Sequence, residues 1–446
     1  MPVTFDLLLK GGAVATPAGI AVADIGVTGG RIRAIGDLSA ASAGEVVDAT
    51  GLHILPGVID TQVHFREPGL EQKEDLETGS RAAVMGGVTG VFEMPNTIPQ
   101  TTNPAALEDK IARGTNRMHC DFAFYVGGTH DNVKDLPELE RLPGAAGVKV
   151  FIGSSTGSLL VPDDDGVRNI LKVIRRRAAF HCEDEPRLQE RKGLRVPGDA
   201  SSHPVWRDEI AALTATRRLV NLARETGARV HVLHVTSAEE MDFLADARDV
   251  ASVEVTPHHL TMAAPECYER LGTLAQMNPP VRGERHRDGL WAAIANGVVD
   301  VLGSDHAPHT LEEKSKPYPE SPSGMTGVQT LVPLMLDHVA AGRLTLERFI
   351  DLTSAGPARL FGIARKGRIV VGYDADFTVV DLKRRATITN GWIASRAQWT
   401  PYDGKEVTGW PVGTFVRGRK VMWEGELTGP SSGQPIGFLE TLQPQE

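Results

Sequence analysis

Side chains that could hold a metal ion are spread along this chain, and each lies in or at the end of a short apolar run. They are His64, Lys149, His181, His234 and Asp305. Imidazole nitrogens and carboxylate oxygens are ligands that suit zinc, and a catalytic zinc keeps one position open for water. Each residue alone is a weak signal, because a lone histidine at a strand end is more often structural. They can share one metal ion only if the fold brings them to one place.

The elements that must position them begin at Val58, where short apolar runs alternate with amphipathic segments. This rhythm is typical of βα units and a parallel sheet. The runs predict a closed (β/α)8 barrel, the TIM-barrel form of the α/β class, in which the carboxyl ends of all strands converge on one face. The predicted strands are residues 58–64, 88–94, 121–127, 147–153, 178–182, 229–235, 252–256 and 299–304.

The two ends of the chain differ from this middle part, because they consist of strand-like segments broken by turns. After the barrel such segments appear at residues 367–370, 375–381 and 414–423. We expect both ends to form one small composite β-sandwich domain. The predicted division is residues 1–55 with 366–430 for that domain, 56–365 for the barrel, and 431–446, rich in Pro, Gly, Ser and Gln, for a flexible tail.

Composition narrows the class of partner. The 446 residues include 47 Lys and Arg against 57 Asp and Glu, a formal charge of -10, which argues against nucleic acid or an anionic membrane as partner. The cysteines Cys120, Cys182 and Cys267 form no paired motif, which favours reduced thiols. The chain shows no signal peptide and no run of about 18 apolar residues. We expect a soluble cytoplasmic protein that acts on a small molecule.

The segment from Gly57 to Gly69 reads Gly-Val-Ile-Asp-Thr-Gln-Val-His-Phe-Arg-Glu-Pro-Gly. It resembles the first barrel strand of the cyclic amidohydrolases, and its Phe-Arg-Glu-Pro-Gly ending is similar to that of the dihydroorotases. Phe-His-Cys-Glu-Asp, Val-Leu-His-Val-Thr-Ser and Gly-Ser-Asp-His-Ala-Pro-His resemble later motifs of the family, in the same order. The family's first motif is His-x-His-x-Arg, and Gln62 stands where its first histidine should be.

The resemblance implies one or two zinc ions held by His64, Lys149, His181, His234 and Asp305, with Gln62 at the position of the missing histidine. It further implies that Lys149 reacts with carbon dioxide, giving a carbamate that bridges two ions. The alternative for Lys149 is a salt bridge, since a buried ammonium must be neutralised. Zinc would lower the pKa of a water to about 7 and polarise the scissile carbonyl, and Asp305 would be the general acid and base.

The predicted substrate contacts centre on Arg66, whose planar guanidinium matches a carboxylate in a bidentate way. Dihydroorotate carries such a carboxylate, whereas dihydrouracil, hydantoin and allantoin do not. The resemblance adds further contacts, although Asn before Pro is also a common turn former. It assigns no role to His231, His258 or His259. The added substrate-binding residues are Asn96, Asn278, His309, Ser323 and Gly324.

The sequence therefore predicts a dihydroorotase, which hydrolyses (S)-dihydroorotate reversibly to N-carbamoyl-L-aspartate in de novo pyrimidine synthesis. An allantoinase or hydantoinase on the same scaffold is the alternative enzyme. A catalytically silent, dihydroorotase-like scaffold subunit is the alternative of another class, and Gln62 is its sole support. Oligomeric state stays open: a homodimer is compatible with the sequence, and association with aspartate transcarbamoylase has no support in it.

Overall fold

The computed structural model of the protein describes residues 4–155 and 159–441. Its strands form two sheets, one from the middle of the chain and one from its two ends. In chain order the strands are β1 (Thr4–Thr16), β2 (Gly19–Thr28), β3 (Arg31–Gly36), β4 (Ser42–Asp48), β5 (His53–Pro56), β6 (Val58–Val63), β7 (Val88–Glu93), β8 (Asp121–Gly127), β9 (Ala145–Phe151), β10 (Ala178–His181), β11 (Val230–Val232), β12 (Ala251–Val255), β13 (Val301–Leu302), β14 (Phe377–Thr387), β15 (Glu406–Val416), β16 (Arg419–Trp423) and β17 (Glu426–Leu427).

The helices lie mainly between the strands of the middle sheet. Among the described residues, none of them combines the length and the apolar character needed to cross a bilayer. They are α1 (Leu76–Met85), α2 (Pro104–Gly114), α3 (Leu136–Leu139), α4 (Asp164–Val173), α5 (Glu185–Arg191), α6 (His203–Trp206), α7 (Glu209–Thr226), α8 (Ala238–Ala245), α9 (Pro257–Thr261), α10 (Glu266–Leu271), α11 (Glu284–Ala295), α12 (Leu311–Lys314), α13 (Leu331–Ala340), α14 (Leu346–Ile350) and α15 (Gly356–Phe361).

Strands β6 to β13 are parallel, and each pairs with the next strand in chain order. The ring closes just beyond β13, where His306 forms a parallel bridge with Val63. There the backbone N–H of His64 donates to the carbonyl of His306 at 2.7 Å. All the predicted barrel strands are present, and the (β/α)8 fold is confirmed. Their residues are buried throughout, which explains why they read as continuous apolar runs.

The second sheet joins the two ends of the chain. Its order is β17-β16-β15-β14-β5-β1-β2-β3, with β4 pairing in parallel with β1. The connection between the ends is the antiparallel pair β5 and β14. Residues 367–370 are predicted as a strand, but residues 367 and 368 form a bend and residues 369 and 370 have no regular structure. Gly367 has a φ of +80°, and a Cβ there would lie 2.4 Å from the carbonyl oxygen of Ser354, so the chain turns tightly at this glycine.

The tail predicted to be flexible is held in place over its described part, residues 431–441. The backbone of Ile436 donates to the carbonyl of Phe122 at 2.7 Å, at the start of β8. Ile436 and Phe438 are buried against barrel residues that include Phe92. The prediction of a flexible tail is wrong for these residues, because two apolar side chains in a polar segment are enough to plug the amino-terminal end of the barrel. Residues 442–446 lie outside the described chain.

Candidate active site

The carboxyl ends of the barrel strands surround a pocket with about 380 Å³ of empty space, part of it open to solvent, called here the barrel-mouth cavity. Of the residues predicted for the site, His309 alone lies behind its wall, against Arg66. Sequence reasoning missed three residues of the wall, because small and apolar side chains carry no chemical signal. The cavity is lined by Gln62, His64, Arg66, Asn96, Lys149, Phe151, Ser155, His181, His234, Asn278, Asp305, Ala307, Ser323 and Gly324.

Three of these residues have a backbone conformation that side chains with a Cβ seldom adopt. The φ angles are +65° at Arg66, +38° at His234 and +49° at Asp305. Residues in this region cost on the order of 1–3 kcal/mol each, and they cluster at functional sites. The strain lies where β6, β11 and β13 give way to loops, and it turns these side chains toward the cavity.

His181 and His234 face each other across the cavity floor, with Nδ1 of His181 3.1 Å from Nε2 of His234. The other nitrogen of His181, Nε2, donates to the carboxylate of Glu183 at 2.9 Å. A ring that donates from Nε2 keeps a lone pair on Nδ1. Burial lowers the pKa of both histidines, so both rings are neutral, which is the form that binds metals.

Glu183 is a functional residue that sequence reasoning missed, although it stands within the motif around His181. It is fully buried, and Nε of Arg207 donates to it at 3.2 Å. Burial alone would raise the pKa of Glu183, but Arg207 and His181 outweigh this effect and lower that pKa to about 2. A permanently charged carboxylate therefore orients His181, the arrangement common behind metal-binding histidines.

Lys149 is the most unusual group of the site. Its side chain is 1% exposed, and within the described chain its amine has neither a hydrogen-bond partner nor an ion pair. The predicted salt-bridge alternative is therefore not observed there. The ring of Phe151 lies beside the amine, with its centroid 4.3 Å from Nζ. Burial lowers the pKa of the amine to about 7, so much of it is neutral and nucleophilic at neutral pH.

The other half of the site is built from β6 and from the end of β13. Nε2 of His64 lies 3.3 Å from Oδ1 of Asp305, and the amide of Gln62 donates to the same oxygen at 3.0 Å. Nδ1 of His64 lies 2.9 Å from Oδ1 of Asn96, the shorter of the two His64 contacts. Burial lowers the pKa of His64, so the neutral ring carries one proton and donates it to only one of these two acceptors. With the proton on Nδ1, Nε2 is an acceptor that faces the carboxylate of Asp305.

The donors of the cavity fit a metal ion only if Lys149 takes part. In the parts of the chain that the structure describes, no three His, Cys, Asp or Glu side chains are arranged as a metal site. The pairs His181 with His234 and His64 with Asp305 each supply two donors, and Lys149 lies within electrostatic reach of both pairs. Among the described residues, the amine of Lys149, Oε1 of Gln62 and Nδ1 of His234 are buried without a hydrogen-bond partner. The residues present therefore fit a zinc site completed by a modified Lys149.

Arg66 is a buried cation without a counterion. It is 2% exposed, and no carboxylate of the described residues lies within ion-pair distance of it. Its Nε donates to the carbonyl of Pro308 at 3.1 Å, and burial lowers its pKa to about 10, so it stays charged. More distant carboxylates, that of Asp305 foremost, offset part of the cost of burying this charge, but none of those described forms an ion pair with it. The guanidinium can recover this cost by binding an anion that enters the cavity.

The remaining wall is formed by loops whose shape depends on a glycine. A Cβ on Gly324 would lie 2.3 Å from the carbonyl oxygen of Ala307, and the φ of +145° also excludes most residues. The Gly324 amide donates to the carbonyl of Gln276 at 2.9 Å, so this amide is already engaged. Asn278 reaches the hydroxyl of Ser155 at 3.4 Å. Asn278 and the Ser323 loop therefore lie on the cavity wall, where a substrate ring would meet them.

The histidines without an assigned role have structural contacts. His231 lies 2.8 Å from the hydroxyl of Ser252, and His258 lies 2.9 Å from that of Tyr402. His259 contacts the carbonyl of Pro279 at 3.1 Å and so supports the loop that carries Asn278. None of the three lines the barrel-mouth cavity.

Comparison with known proteins identifies the scaffold. Residues 53–421 match the sequence pattern of the Amidohydrolase family. The chain belongs to the amidohydrolase family. The resemblance inferred from the motifs is thereby confirmed, and the match extends from the last strand before the barrel of this amidohydrolase to β16.

Relatives of this amidohydrolase carry three different names. A dihydroorotase of Methanothermobacter thermautotrophicus is 36% identical over 91% of this chain and 92% of its own length. An allantoinase of Deinococcus radiodurans is 32% identical over 97% of this chain and 98% of its own. Among solved structures, the L-hydantoinase (dihydropyrimidinase) from Arthrobacter aurescens superposes with a TM-score of 0.92 at 31% identity, covering 97% of this chain and 99% of that one.

Proposed function

We propose that this amidohydrolase is a dihydroorotase, which interconverts (S)-dihydroorotate and N-carbamoyl-L-aspartate in de novo pyrimidine synthesis. The observation that supports the proposal is Arg66, a buried guanidinium that forms no ion pair with any described carboxylate, in a cavity that also holds the metal-type ligands. A guanidinium binds a carboxylate through two parallel hydrogen bonds. Dihydroorotate carries a carboxylate next to its cyclic amide, whereas allantoin and hydantoin carry none. The dihydroorotase relative of Methanothermobacter thermautotrophicus supports the same assignment.

The metal is proposed to be zinc, as one or two ions. His181, His234 and a carboxylated Lys149 would hold one ion. His64, Asp305 and the same carboxylate would hold the other, with Gln62 beside it. When bound, zinc lowers the pKa of a water to about 7 and polarises the amide carbonyl.

Carboxylation of Lys149 needs only carbon dioxide. The neutral amine forms a bond to the carbon atom of carbon dioxide and releases one proton to solvent, which leaves an anionic carbamate on Nζ. A buried amine with a pKa of about 7 and no partner among the described residues is suited to this reaction. The product also replaces a costly buried cation by an anion that metal ions can neutralise.

The other residues bind the substrate and move protons. Arg66 and Asn96 hold the carboxylate, and this contact orients the ring in the cavity. Asp305 takes the proton of the attacking water on its carboxylate and donates it to the ring nitrogen as the carbon–nitrogen bond breaks. Asn278, His309 and the backbone of Ser323 and Gly324 are proposed to contact the ring and its substituents. The product is the open N-carbamoyl amino acid.

Two other functions have specific support. The allantoinase and L-hydantoinase relatives favour a cyclic amide without a carboxylate, but such a substrate would leave Arg66 unpaired. Gln62 favours a silent scaffold subunit, but such a subunit has no need of the other candidate ligands. A cytoplasmic location and a homodimer complete the proposal, and the sequence and structure give no support for a bound aspartate transcarbamoylase.

A substrate comparison combined with metal analysis tests the proposal. The purified protein is assayed with dihydroorotate, N-carbamoyl-L-aspartate, allantoin and hydantoin, and its zinc content is measured by mass spectrometry. We expect the highest kcat/KM with dihydroorotate or its open product. Faster turnover of allantoin or hydantoin would assign the alternative enzyme. A protein that purifies without zinc and turns over none of the four compounds would be a scaffold.

A further inference from the structure

A second cation, Lys73, lies behind the wall of the barrel-mouth cavity, in the loop between β6 and α1. Its side chain is 13% exposed, and its Nζ lies 3.0 Å from Oε1 of Glu313. Nζ also lies 3.1 Å from Nδ1 of His309. His309 is 1% exposed, and its other nitrogen faces Arg66. Lys73 therefore acts on the cavity through His309, because its own charge is already paired.

The neighbours of His309 define which ring nitrogen carries the proton. An ammonium can only donate a hydrogen bond, so Nδ1, next to Lys73, must be the acceptor. A carbonyl can only accept, and the carbonyl oxygen of Ser323 lies 3.0 Å from Nε2. Nε2 must therefore carry the proton. Both of these short contacts are satisfied by one form only, the neutral ring protonated on Nε2.

The opposite tautomer fits the distances less well. With the proton on Nδ1, the ring would donate to Oε2 of Glu313, which is 3.6 Å away and too far for a hydrogen bond. Nε2 would then accept from Arg66 at 3.3 Å. The contact with Lys73 at 3.1 Å would then join two hydrogen-bond donors, and the contact with Ser323 at 3.0 Å would join two acceptors. The two shortest contacts, those with Lys73 and Ser323, therefore favour the ring protonated on Nε2.

We propose that Lys73 is a positioning residue for carboxylate recognition, because it holds His309 in the form whose Nε2–H donates to Ser323 and cannot accept from Arg66. The guanidinium NH2 group beside the ring is then left for an acceptor from the substrate, which a carboxylate supplies. This inference rests on the proposed dihydroorotase function. It assigns to Lys73 control of affinity for the acidic substrate, without contact to the reacting atoms.

All but one of the charged groups that face His309 lower the pKa of its ring. Burial lowers the pKa of His309 to about 3, and Arg66, Lys73 and Lys314 lower it further, whereas Glu313 opposes them. The backbone N–H of Thr310 donates to the carboxylate of Glu313 in the amino-terminal cap of α12, which fixes the position of this carboxylate. Loss of the Lys73 charge leaves Glu313 free to draw a proton to Nδ1. The donor on Nε2 is then no longer fixed.

Nitrogen NMR of histidine-labelled protein reads the tautomer directly, without reference to activity. The His309 signals are assigned by their loss in His309→Asn. We expect a bare Nδ1 and a protonated Nε2 in the wild-type protein across the neutral pH range, and a mixture of forms in Lys73→Met. A wild-type ring protonated on Nδ1 would overturn the inference, whatever the protein catalyses.

Kinetics supply the second readout. Lys73→Met and Lys73→Gln should each raise KM for dihydroorotate by about tenfold, with kcat changed by less than about threefold and zinc content unchanged. Gln72→Met, at the exposed neighbouring position, is the matched control and should leave both constants unchanged. An unchanged KM in both Lys73 variants would refute the inference. A wild-type protein without dihydroorotase activity would refute the proposed function instead, and the NMR result would still decide the tautomer.

Discussion

The side-chain amide of Gln62 donates to Oδ1 of Asp305 across 3.0 Å. Its other polar atom, Oε1, is buried and has no hydrogen-bond partner among the described residues. A carboxamide is a neutral and poorer zinc ligand than an imidazole. In the proposed site, Gln62 would therefore weaken metal binding in the half that contains His64 and Asp305, whereas the half with His181 and His234 would keep its donors. Three protein ligands and a water still make a complete catalytic zinc site.

Because the two halves of the proposed metal site have different ligands, they should bind metal with different affinities. We expect titration of the loaded protein with a chelator to show two phases, the weaker one belonging to the site beside Gln62. Gln62→His should tighten that weaker phase by more than about tenfold, or about 1.4 kcal/mol. The exposed substitution Gln72→His is the control for a histidine added elsewhere. Release in a single phase that Gln62→His leaves unaltered would mean that Gln62 is an adequate ligand or no part of the site.

Arg66→Ala removes the proposed carboxylate contact and leaves the metal ligands in place. Loss of a buried, charge-assisted pair should weaken transition-state binding by about 2 to 5 kcal/mol, measured as the fall in kcat/KM for dihydroorotate. Arg66→Lys keeps the charge but not the planar fork, so its loss should be intermediate. Zinc content should stay constant in both variants. Near-normal efficiency of Arg66→Ala would show that the substrate assignment is wrong.

Lys149→Ala should lose zinc and activity together, because the proposed carbamate joins the two halves of the site. Short carboxylic acids added to this variant should partly restore both, since a carboxylate can take the place of the carbamate. A lysine that only forms a salt bridge would give no such rescue. Crystal density for an unmodified amine in an active, zinc-loaded protein would exclude the carbamate.

The pH dependence of carboxylation follows from the same amine. Burial lowers the pKa of Lys149 to about 7, and only the neutral amine reacts with carbon dioxide. Below this pH the amine is protonated, so reactivation of metal-stripped protein by zinc, at a fixed concentration of dissolved carbon dioxide, should be slow. The rate should rise as pH increases through about 7 and then level off. A rate that keeps rising toward the ordinary lysine pKa of about 10.4 would show that burial does not depress this group.

The barrel and most of the candidate site could be predicted because their signals are local. Buried parallel strands read as apolar runs, and His181 or Asp305 stands at the end of such a run. Glu183 and Lys73 could not be predicted, since their roles depend on contacts with Arg207 and His309 that no spacing encodes. Lys73 is four residues past Gly69, in a stretch that reads as an ordinary charged loop.

The prediction for the tail failed for a different reason. The average composition of the segment is polar, and it gives no sign of the single apolar residues that attach the segment to the barrel. Phe438 is 1% exposed, and its ring lies 5.7 Å from that of Phe92 and 4.2 Å from the guanidinium of Arg176. It closes the barrel at the end opposite the cavity. Its contribution therefore concerns stability and not chemistry.

Phe438→Ala should destabilise the protein by about 3 to 5 kcal/mol, because it empties a close-packed site at the foot of the barrel. Leu439→Ala is the matched control, since the neighbouring side chain is 63% exposed and its loss should cost almost nothing. Chemical denaturation of the two variants under identical metal loading measures the difference as a shift of the unfolding midpoint. The kcat/KM of folded Phe438→Ala should stay close to that of wild type, because the barrel-mouth cavity lies at the other end of the strands. Equal midpoints for the two variants would show that the tail rests on the barrel without stabilising it.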